Sequence, residues 1–296
     1  MNFRTDLALE RRENIKAEGV DGVITETEKE KNVTVTTITV TNENGERAIG
    51  KPCGRYITLE ISPLMKNADL SDGPIEVFSK KLLSLLPKEG TVLVAGLGNE
   101  SITPDALGPR CISLLLATRH IKKELAESIG LSALRPVAGI VPGVLGKTGI
   151  ETAEIVEAVV KKISPCALVV VDALASRRLS RLGTTVQMTD TGISPGSGVG
   201  NARALLSKKT LGVPVVAVGV PTVVDGATLA FDLLEGAGVD TSLFEKSEEA
   251  KRGRNMMVTP KEIDLVIDRA ASLVAMGINC ALQRSLELED ILAIVK

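Results

Sequence analysis

The sequence predicts an α/β protein with a three-layer αβα core, a mainly parallel sheet, a β-rich N-terminal region and a long C-terminal helix. From residue 91 onwards, short and wholly apolar segments alternate with helical ones, which is typical of a parallel sheet covered on both faces. Before that point, residues 32–40 are rich in β-branched side chains and residues 55–62 carry apolar side chains at every second position. After it, residues 259–277 carry an apolar stripe at helical spacing. The 296 residues suffice for a substantial core, and we expect one domain over 1–296.

Composition limits the function. Aromatic residues make up 2% of the chain, with no Trp and one Tyr, so the core must be aliphatic. The net charge of −2 and the scarcity of aromatic rings give no reason to expect a nucleic acid partner. No uninterrupted apolar run reaches the roughly 18 residues of a membrane helix, and the charged N-terminus "MNFRTDLALERRE" is not a secretory signal. Four scattered cysteines predict neither a zinc site nor disulfides, and favour a reducing cytoplasm.

The N-terminal third reads as a ribbon followed by a helix. Residues 1–30 are polar and show a weak helical pattern. Residues 30–62 predict a half-exposed β-ribbon, in which "NENG" at 42–45 supplies an Asn-Gly turn. A helix is predicted over 71–90, with Pro74 at its first position and Gly90 at its end.

The α/β core is predicted over 91–235. Its expected strands are 91–96, 135–141, 167–172, 184–189 and 213–219, and its expected helices are 109–127, 151–163, 200–208 and 224–235. Residues 236–257 are charged and read as a linker or excursion. In the C-terminal helical region, 259–296, the helix over 259–277 opens with a predicted capping box of Thr259, Pro260 and Glu262.

Three aspartates follow apolar strands, which is where open α/β sheets bind ligands. They are Asp105, Asp172 and Asp225. Burial and a second nearby carboxylate would both raise the pKa of Asp172, and two carboxyls that share a proton can activate water. Asp105 and Asp172 form such a pair if their strands are neighbours. The alternative is that each aspartate caps a helix or closes a turn, and Asp225 most resembles a plain cap.

Two further features are less specific. The loop "GSGVGN" at 196–201 matches neither established phosphate-binding pattern. It could bind a phosphate or nucleotide without catalysis, supply N–H groups to an oxyanion, or simply turn tightly. His120, the single histidine, is read as a cation at a helix C-terminus, which leaves no base for a Ser-His-Asp mechanism. We predict neither a metal nor a cofactor.

Many ordered motifs give the chain a family resemblance. It resembles the germination proteases of spore-forming bacteria, endopeptidases that degrade small acid-soluble spore proteins. The resemblance runs over most of the sequence and is carried by "RTDLALE" (4–10), "GRYITLE" (54–60), "GLGNESITPDALGP" (96–109), "TRH" (118–120), "PGVLGKTGIET" (142–152), "VVVDALASR" (169–177), "TDTGISPGSGVGN" (189–201), "LGVPVVAVGVPTVVD" (211–225) and "MVTPKEID" (257–264).

The resemblance implies an atypical aspartic-type endopeptidase of the spore core cytoplasm, made as a zymogen and assembled as a homotetramer. Its two catalytic aspartates fall on Asp105 and Asp172. We expect the cleft to be shaped by Gly98, Asn99, Gly196, Gly198, Gly200 and Asn201. The family fold is similar to that of hydrogenase-maturation endopeptidases, whose metal-sensing chemistry is the alternative enzyme function and would need a histidine.

The family cleaves after an acidic residue and before an apolar one, and shortens its own N-terminus. Asp6 and Leu7 fit that pattern, so we expect self-processing between them. The chain departs from the family in a leader of only three residues before "RTDLALE" and in a short 236–257 segment. Neither departure involves the acidic loops.

Overall fold

The computed structural model describes residues 5–15, 19–61, 72–121, 134–197, 200, 203–242, 244 and 247–295. Its strands are β1 (Val23–Glu30), β2 (Val33–Val40), β3 (Gly54–Glu60), β4 (Val92–Gly96), β5 (Val137–Ile140), β6 (Ala167–Ala175), β7 (Thr185–Thr189), β8 (Val215–Asp225) and β9 (Met257–Val258). Its helices are α1 (Ala8–Glu13), α2 (Glu43–Ile49), α3 (Asp72–Leu83), α4 (Leu107–Ser113), α5 (Leu145–Thr148), α6 (Thr152–Ile163), α7 (Lys208–Leu211), α8 (Gly226–Gly236), α9 (Glu248–Gly253), α10 (Ile263–Leu282) and α11 (Leu288–Val295).

The strands of the described residues form one mixed sheet in the order β1-β2-β3-β7-β8-β6-β4-β5, with β9 paired to the end of β8. The four strands β5, β4, β6 and β8 are parallel. β7 was expected in the parallel part, but it runs antiparallel to both β8 and β3. The N-terminal ribbon therefore continues the same sheet, because β3 pairs with β7 along its whole length.

Helices cover both faces of the sheet, which confirms the three-layer arrangement. One face carries a large apolar core under α3, α4, α10 and α11. The other face carries two separate clusters, one under α6 and one formed by α1, α2, β2 and β3. Side chains alternate between the faces of a strand, so Asp172 lies on the second face, with Val170 of the α6 cluster.

The long C-terminal helix is present but begins later than predicted. α10 starts at Ile263, with Glu262 as a cap that makes no side-chain hydrogen bond, so the predicted capping box is wrong. Thr259 instead donates to the carbonyl of Pro260. By length and hydropathy α10 could cross a membrane, yet 72% of the relevant window is buried inside the protein. Its burial against α3 and α4 is that of a core helix.

Three N-terminal predictions need correction. Residues 43–49 are a helix instead of a turn, because the Asn42 side chain accepts from the Gly45 N–H and caps it. Residues 23–30 form β1 instead of a weak helix. β1 is an edge strand, and its largely exposed side chains explain the polar pattern that concealed it. The helix predicted over 71–90 ends at Leu83.

Helix α4 is much shorter than the predicted 109–127. It ends at Ser113, where the buried Asn279 side chain donates to the Leu114 carbonyl (2.9 Å) and accepts from the Leu116 N–H (2.9 Å). This amide satisfies the backbone groups that a continued helix would have paired. His120 therefore lies in an exposed turn and not at a helix end. Residues 122–133 of the predicted helix lie outside the described residues.

Two other segments differ from prediction. The helix predicted over 200–208 is wrong, because the described residues 203–207 are not helical and the single turn α7 begins only at Lys208. The hydrogen bonds between Ile193 and Leu206 in both directions pull this loop back on itself. The expected linker at 236–257 contains α9 and the start of β9.

Candidate active site

A cavity of about 540 Å³ lies above the carboxyl ends of β4 and β6. It opens on the second face of the sheet. It is lined by three aspartates, Asp6, Asp105 and Asp172, and by Gly98, Asn99 and Gly196 among others. The structure thus places in one cavity both aspartates of the predicted pair, together with three of the predicted cleft-shaping residues.

Asp105 is held by a tight loop after β4. Gly98 has a φ of +110°, and a Cβ at this position would lie 2.0 Å from the Asp105 carbonyl oxygen. The Asn99 N–H donates to both the carbonyl (3.1 Å) and the carboxylate (2.8 Å) of Asp105. Thr222 of β8 holds the Pro104 carbonyl from the other side (2.8 Å). Glycine is required at 98 because the loop closes directly onto the aspartate.

Asp172 lies inside β6. The strand was expected to end there, but it continues to Ala175 alongside the long β8. β4 and β6 are parallel neighbours, with Gly96 opposite Val171, so the two aspartate-bearing segments meet. The Asp172 side chain is 6% exposed, and its carboxylate accepts from the Ala173 N–H (2.9 Å).

The two carboxyls have different electrostatic environments. Burial, followed by the charges of Asp105 and Asp6, raises the pKa of Asp172 well above its usual value. Burial also raises the pKa of Asp105, but the hydrogen bond from Asn99 opposes the effect. The pKa of each carboxyl is thus raised, which is the condition under which two carboxyls can share one proton and activate water.

Asp6 enters this site from the N-terminus. Its N–H donates to the Ala175 carbonyl (3.0 Å) at the end of β6. Its carboxylate accepts from the Ala175 N–H (2.9 Å) and from the Ser197 hydroxyl (3.0 Å). Leu7, which follows, is fully buried. The sequence predicts self-processing between Asp6 and Leu7. It does not indicate that Asp6 lines the same cavity as Asp105 and Asp172, which the structure shows.

Gln187, which no sequence motif indicated, lines the smaller neighbouring cavity together with Asp6. It lies on β7, and both Gln187 and Asp172 pair with Gly219 on the intervening strand β8. Their side chains therefore share a face, with Cα atoms about 10 Å apart across two strand spacings. The one signal in the sequence was an amide side chain in the otherwise apolar and Thr-rich segment "TTVQMT".

The glycine-rich loop is only partly described. Gly196 lines the cavity, whereas Gly200 is not among the lining residues, and Gly198 and Asn201 lie outside the described residues. A phosphate-binding loop uses the N–H groups of a helix that follows it directly. The described residues nearest after this loop, 203–207, are not helical.

The other residues considered from the sequence, Asp225 and His120, do not line the cavity. Asp225 is a helix cap as expected, and its carboxylate accepts from the N–H (2.9 Å) and hydroxyl (2.6 Å) of Thr228. His120 is exposed and absent from the residues that line the cavity. Among the described residues, no cluster of three His, Cys, Asp or Glu side chains is arranged to hold a metal ion.

A family model described as germination protease matches residues 4–236. This span includes all three cavity aspartates. The chain belongs to the germination protease family. It is therefore a protease of spore germination.

Full-length relatives agree with this assignment. The chain is 44% identical to the germination protease of Clostridium tetani over 98% of both proteins. It is 44% identical to that of Caldanaerobacter subterraneus subsp. tengcongensis over 97% of this chain and 96% of the relative. The identity to the Geobacillus sp. (strain WCH70) germination protease is 36%, over 98% and 96%.

Among solved structures, a NiFe hydrogenase maturation protease from Thermococcus kodakarensis is similar to this germination protease. It is 18% identical, with a TM-score of 0.32, and the match covers 66% of this chain and 98% of that one. At this level of similarity, the expected closeness of the two folds stays a prediction.

Proposed function

We propose that this germination protease is an endopeptidase that initiates the degradation of small acid-soluble spore proteins. It would cleave after an acidic and before an apolar residue, with Asp105 and Asp172 as a water-activating pair. The observation that carries the proposal is the presence of both carboxyls, with raised pKa values, in one cavity large enough for a peptide. The substrate and the assignment of the pair come from the family resemblance.

We assign the roles of the two carboxyls from their different environments. Asp105, charged and steadied by the Asn99 N–H, accepts a proton from a water molecule as its oxygen attacks the peptide carbonyl. Asp172, protonated in its buried position, donates to the carbonyl oxygen, on which negative charge develops. As the carbon–nitrogen bond of the tetrahedral intermediate breaks, Asp105 donates the proton it took from water to the departing nitrogen. A hydroxyl of the intermediate returns a proton to Asp172, so both carboxyls regain their starting states. No covalent intermediate with the protein forms.

The N-terminus supports the expected specificity. Asp6 places an acidic side chain in the cavity and Leu7 an apolar one in the core, which is the order of residues proposed around a cleaved bond. We extend the proposal to a zymogen that processes itself between Asp6 and Leu7. N-terminal sequencing after mild acidification tests this, since an active protein that still begins at Met1 would contradict it.

The rest of the proposal follows the family. The protein would act in the cytoplasm of the spore core as a homotetramer of its 31.2 kDa chain. Light scattering coupled to size-exclusion chromatography tests the assembly, with a mass about four times that of the chain as the expected result. A monomeric mass for active protein would exclude the tetramer.

Incubation with an acid-soluble spore protein tests the mechanism. Asp105→Asn and Asp172→Asn should each abolish cleavage, because each removes one member of the pair. Asp225→Asn is the matched control: it removes a buried carboxylate outside the cavity, yet asparagine still caps a helix. Undiminished cleavage by Asp172→Asn would refute the paired mechanism.

A further inference from the structure

Residues 5–8 are held in the way that a protease holds a peptide. The Asp6 N–H donates to the Ala175 carbonyl, so the segment pairs with the end of β6. The Gln187 side-chain amide donates to the Asp6 carbonyl (3.1 Å) and accepts from the Ala8 N–H (2.6 Å). This single amide thus binds a carbonyl and the N–H two residues later, which are groups that every peptide presents.

The Asp6 side chain fills a defined pocket. One carboxylate oxygen accepts from the Ala175 N–H and the other from the Ser197 hydroxyl, so both oxygens are bound. Lys51 lines the smaller cavity of about 250 Å³ that also contacts Asp6, Ser197 and Gln187.

The negative charge of the neighbouring aspartates explains why the binding of an acidic side chain requires a nearby cation. Asp105 and Asp172 line the neighbouring cavity, and the charge of Asp6 is close enough to raise the pKa of Asp172. An incoming acidic side chain would meet the same repulsion. Lys51 and Asp6 line the same smaller cavity, and the charge of Asp6 raises the pKa of Lys51 against the larger lowering effect of burial. Arg203, another cation at the cavity, is directed to Glu151 (3.5 Å).

We propose that these contacts define the substrate subsite. Lys51, the Ser197 hydroxyl and the Ala175 N–H bind the acidic side chain before the cleaved bond, and Gln187 clamps the peptide backbone around that bond. Residues 5–8 occupy this subsite in the present structure. The inference rests on the proposed function, because it assigns the groups that select the substrate of the same site.

Gln187 and Lys51 have different roles in this proposal. Gln187 contacts only main-chain atoms of the segment, so it should bind any sequence equally. Lys51 lines the cavity that the Asp6 side chain also lines, so it should discriminate between an acid and its uncharged amide. Lys51 is therefore a specificity residue, while Gln187 binds the carbonyl of the bond proposed to be cleaved and the N–H two residues later.

Discrimination is measured with two substrates. One is an acid-soluble spore protein, and the other is the same protein with the acidic residue before the mapped cleavage site replaced by its amide. Wild-type protein should prefer the acid in kcat/KM by about tenfold or more, as expected for a hydrogen-bonded charge. Lys51→Gln should reduce that preference to less than about twofold. Lys209→Gln, at an exposed lysine of α7 outside both cavities, is the control and should keep the full preference.

A merely structural role for Lys51 would lower the rates on both substrates and leave their ratio unchanged, and that result would overturn the proposal. Gln187→Met supplies the opposite pattern. It keeps the side-chain volume but removes both hydrogen-bonding groups, so it should slow both substrates and preserve the ratio. A changed ratio in Gln187→Met would contradict its assignment to the backbone.

A second measurement does not depend on cleavage. Hydrogen exchange of the N-terminal segment is compared in full chains that carry Asp172→Asn, so that residues 5–8 remain attached. Gln187→Met should accelerate exchange at the Ala8 amide, and Lys51→Gln exchange over residues 6–8, by about tenfold. Lys209→Gln should not change it. Unchanged exchange in both test variants would overturn the subsite.

The two measurements separate this inference from the proposed function. If wild-type protein cleaves no spore protein while the exchange results hold, the proposed function fails and the binding site for an acidic segment stands. If cleavage depends on Asp172 but Lys51→Gln leaves the acid preference intact, the subsite fails and the function stands.

Discussion

Substitution of Gly98 by alanine should lower activity because it displaces Asp105, with no other member of the site affected directly. The added Cβ would lie 2.0 Å from the Asp105 carbonyl oxygen and 3.2 Å from a carboxylate oxygen of the same residue. The carbonyl must withdraw by about 1 Å to restore an ordinary contact. That shift breaks its hydrogen bond from the Asn99 N–H and carries the carboxylate with it.

The size of the effect follows from two contributions. The φ of +110° costs a residue with a Cβ about 1–2 kcal/mol, and the lost hydrogen bond about 1 kcal/mol more. At about 2.1 cal/mol/K of unfolding entropy per residue, a loss of about 2–3 kcal/mol lowers the Tm of 296 residues by about 3–5 °C. A displacement of about 1 Å at a catalytic group lowers kcat about 10²-fold.

Thermal unfolding and cleavage of an acid-soluble spore protein measure the two effects. Gly236→Ala is the matched control, because no atom lies within 4 Å of its added Cβ and the residue is helical. Adding Gly98→Ala to Asp105→Asn should cause no further loss of kcat, since both changes act on one carboxyl. A Gly98→Ala protein with wild-type kcat and Tm would refute the reasoning.

Three other changes have defined outcomes. Asp172→Asn should lower kcat by at least about 10³-fold. It should also raise thermal stability at neutral pH. The raised pKa means that Asp172 binds a proton more tightly in the folded wild-type protein than in the unfolded chain, so wild-type protein loses stability as the pH rises. The greater stability of the variant should therefore vanish at low pH. Equal melting curves at neutral pH would contradict this. Asp225→Ala should lower the free energy of unfolding, measured with denaturant, by about 1–2 kcal/mol, because it removes the side chain that caps α8 at Thr228. The kcat of the folded protein should be retained, and a loss of kcat would show a catalytic role. Gly277→Ala should cost about 1–3 kcal/mol, because its Cβ would lie 2.2 Å from the Phe78 ring; a melting temperature equal to that of wild type would exclude this close packing.

The elements that sequence predicted well are those with strong local patterns. The helix at 151–163 was placed within one residue, because its apolar stripe repeats at helical spacing and its end is unambiguous. The strands at 91–96 and 184–189 were likewise placed within one residue, since each is short and bounded by turn residues. The cap at Asp225 was recognised for the same local reason.

The errors occur where distant residues decide the local structure. α4 stops because Asn279, 165 residues away from Leu114, pairs with its backbone. β8 continues to Asp225 because β6 and β9 supply hydrogen-bond partners along its whole length. β7 runs antiparallel because it joins the parallel core to the N-terminal ribbon. None of these partners is visible in the segment itself.

The sequence by itself determined the fold class, the family and the two candidate aspartates. Apolar periodicity and strand-end position are local properties of the sequence, and the ordered family motifs can be read directly from it. Only the tertiary structure decided that Asp6, Asp105 and Asp172 line one cavity, that Lys51 lines a second cavity with Asp6, and that Gln187 binds the backbone of residues 6–8. The raised pKa of Asp172 likewise depends on burial and on charges brought together from three distant segments. Proximity of that kind is created by strand order and register, which a single sequence does not encode locally.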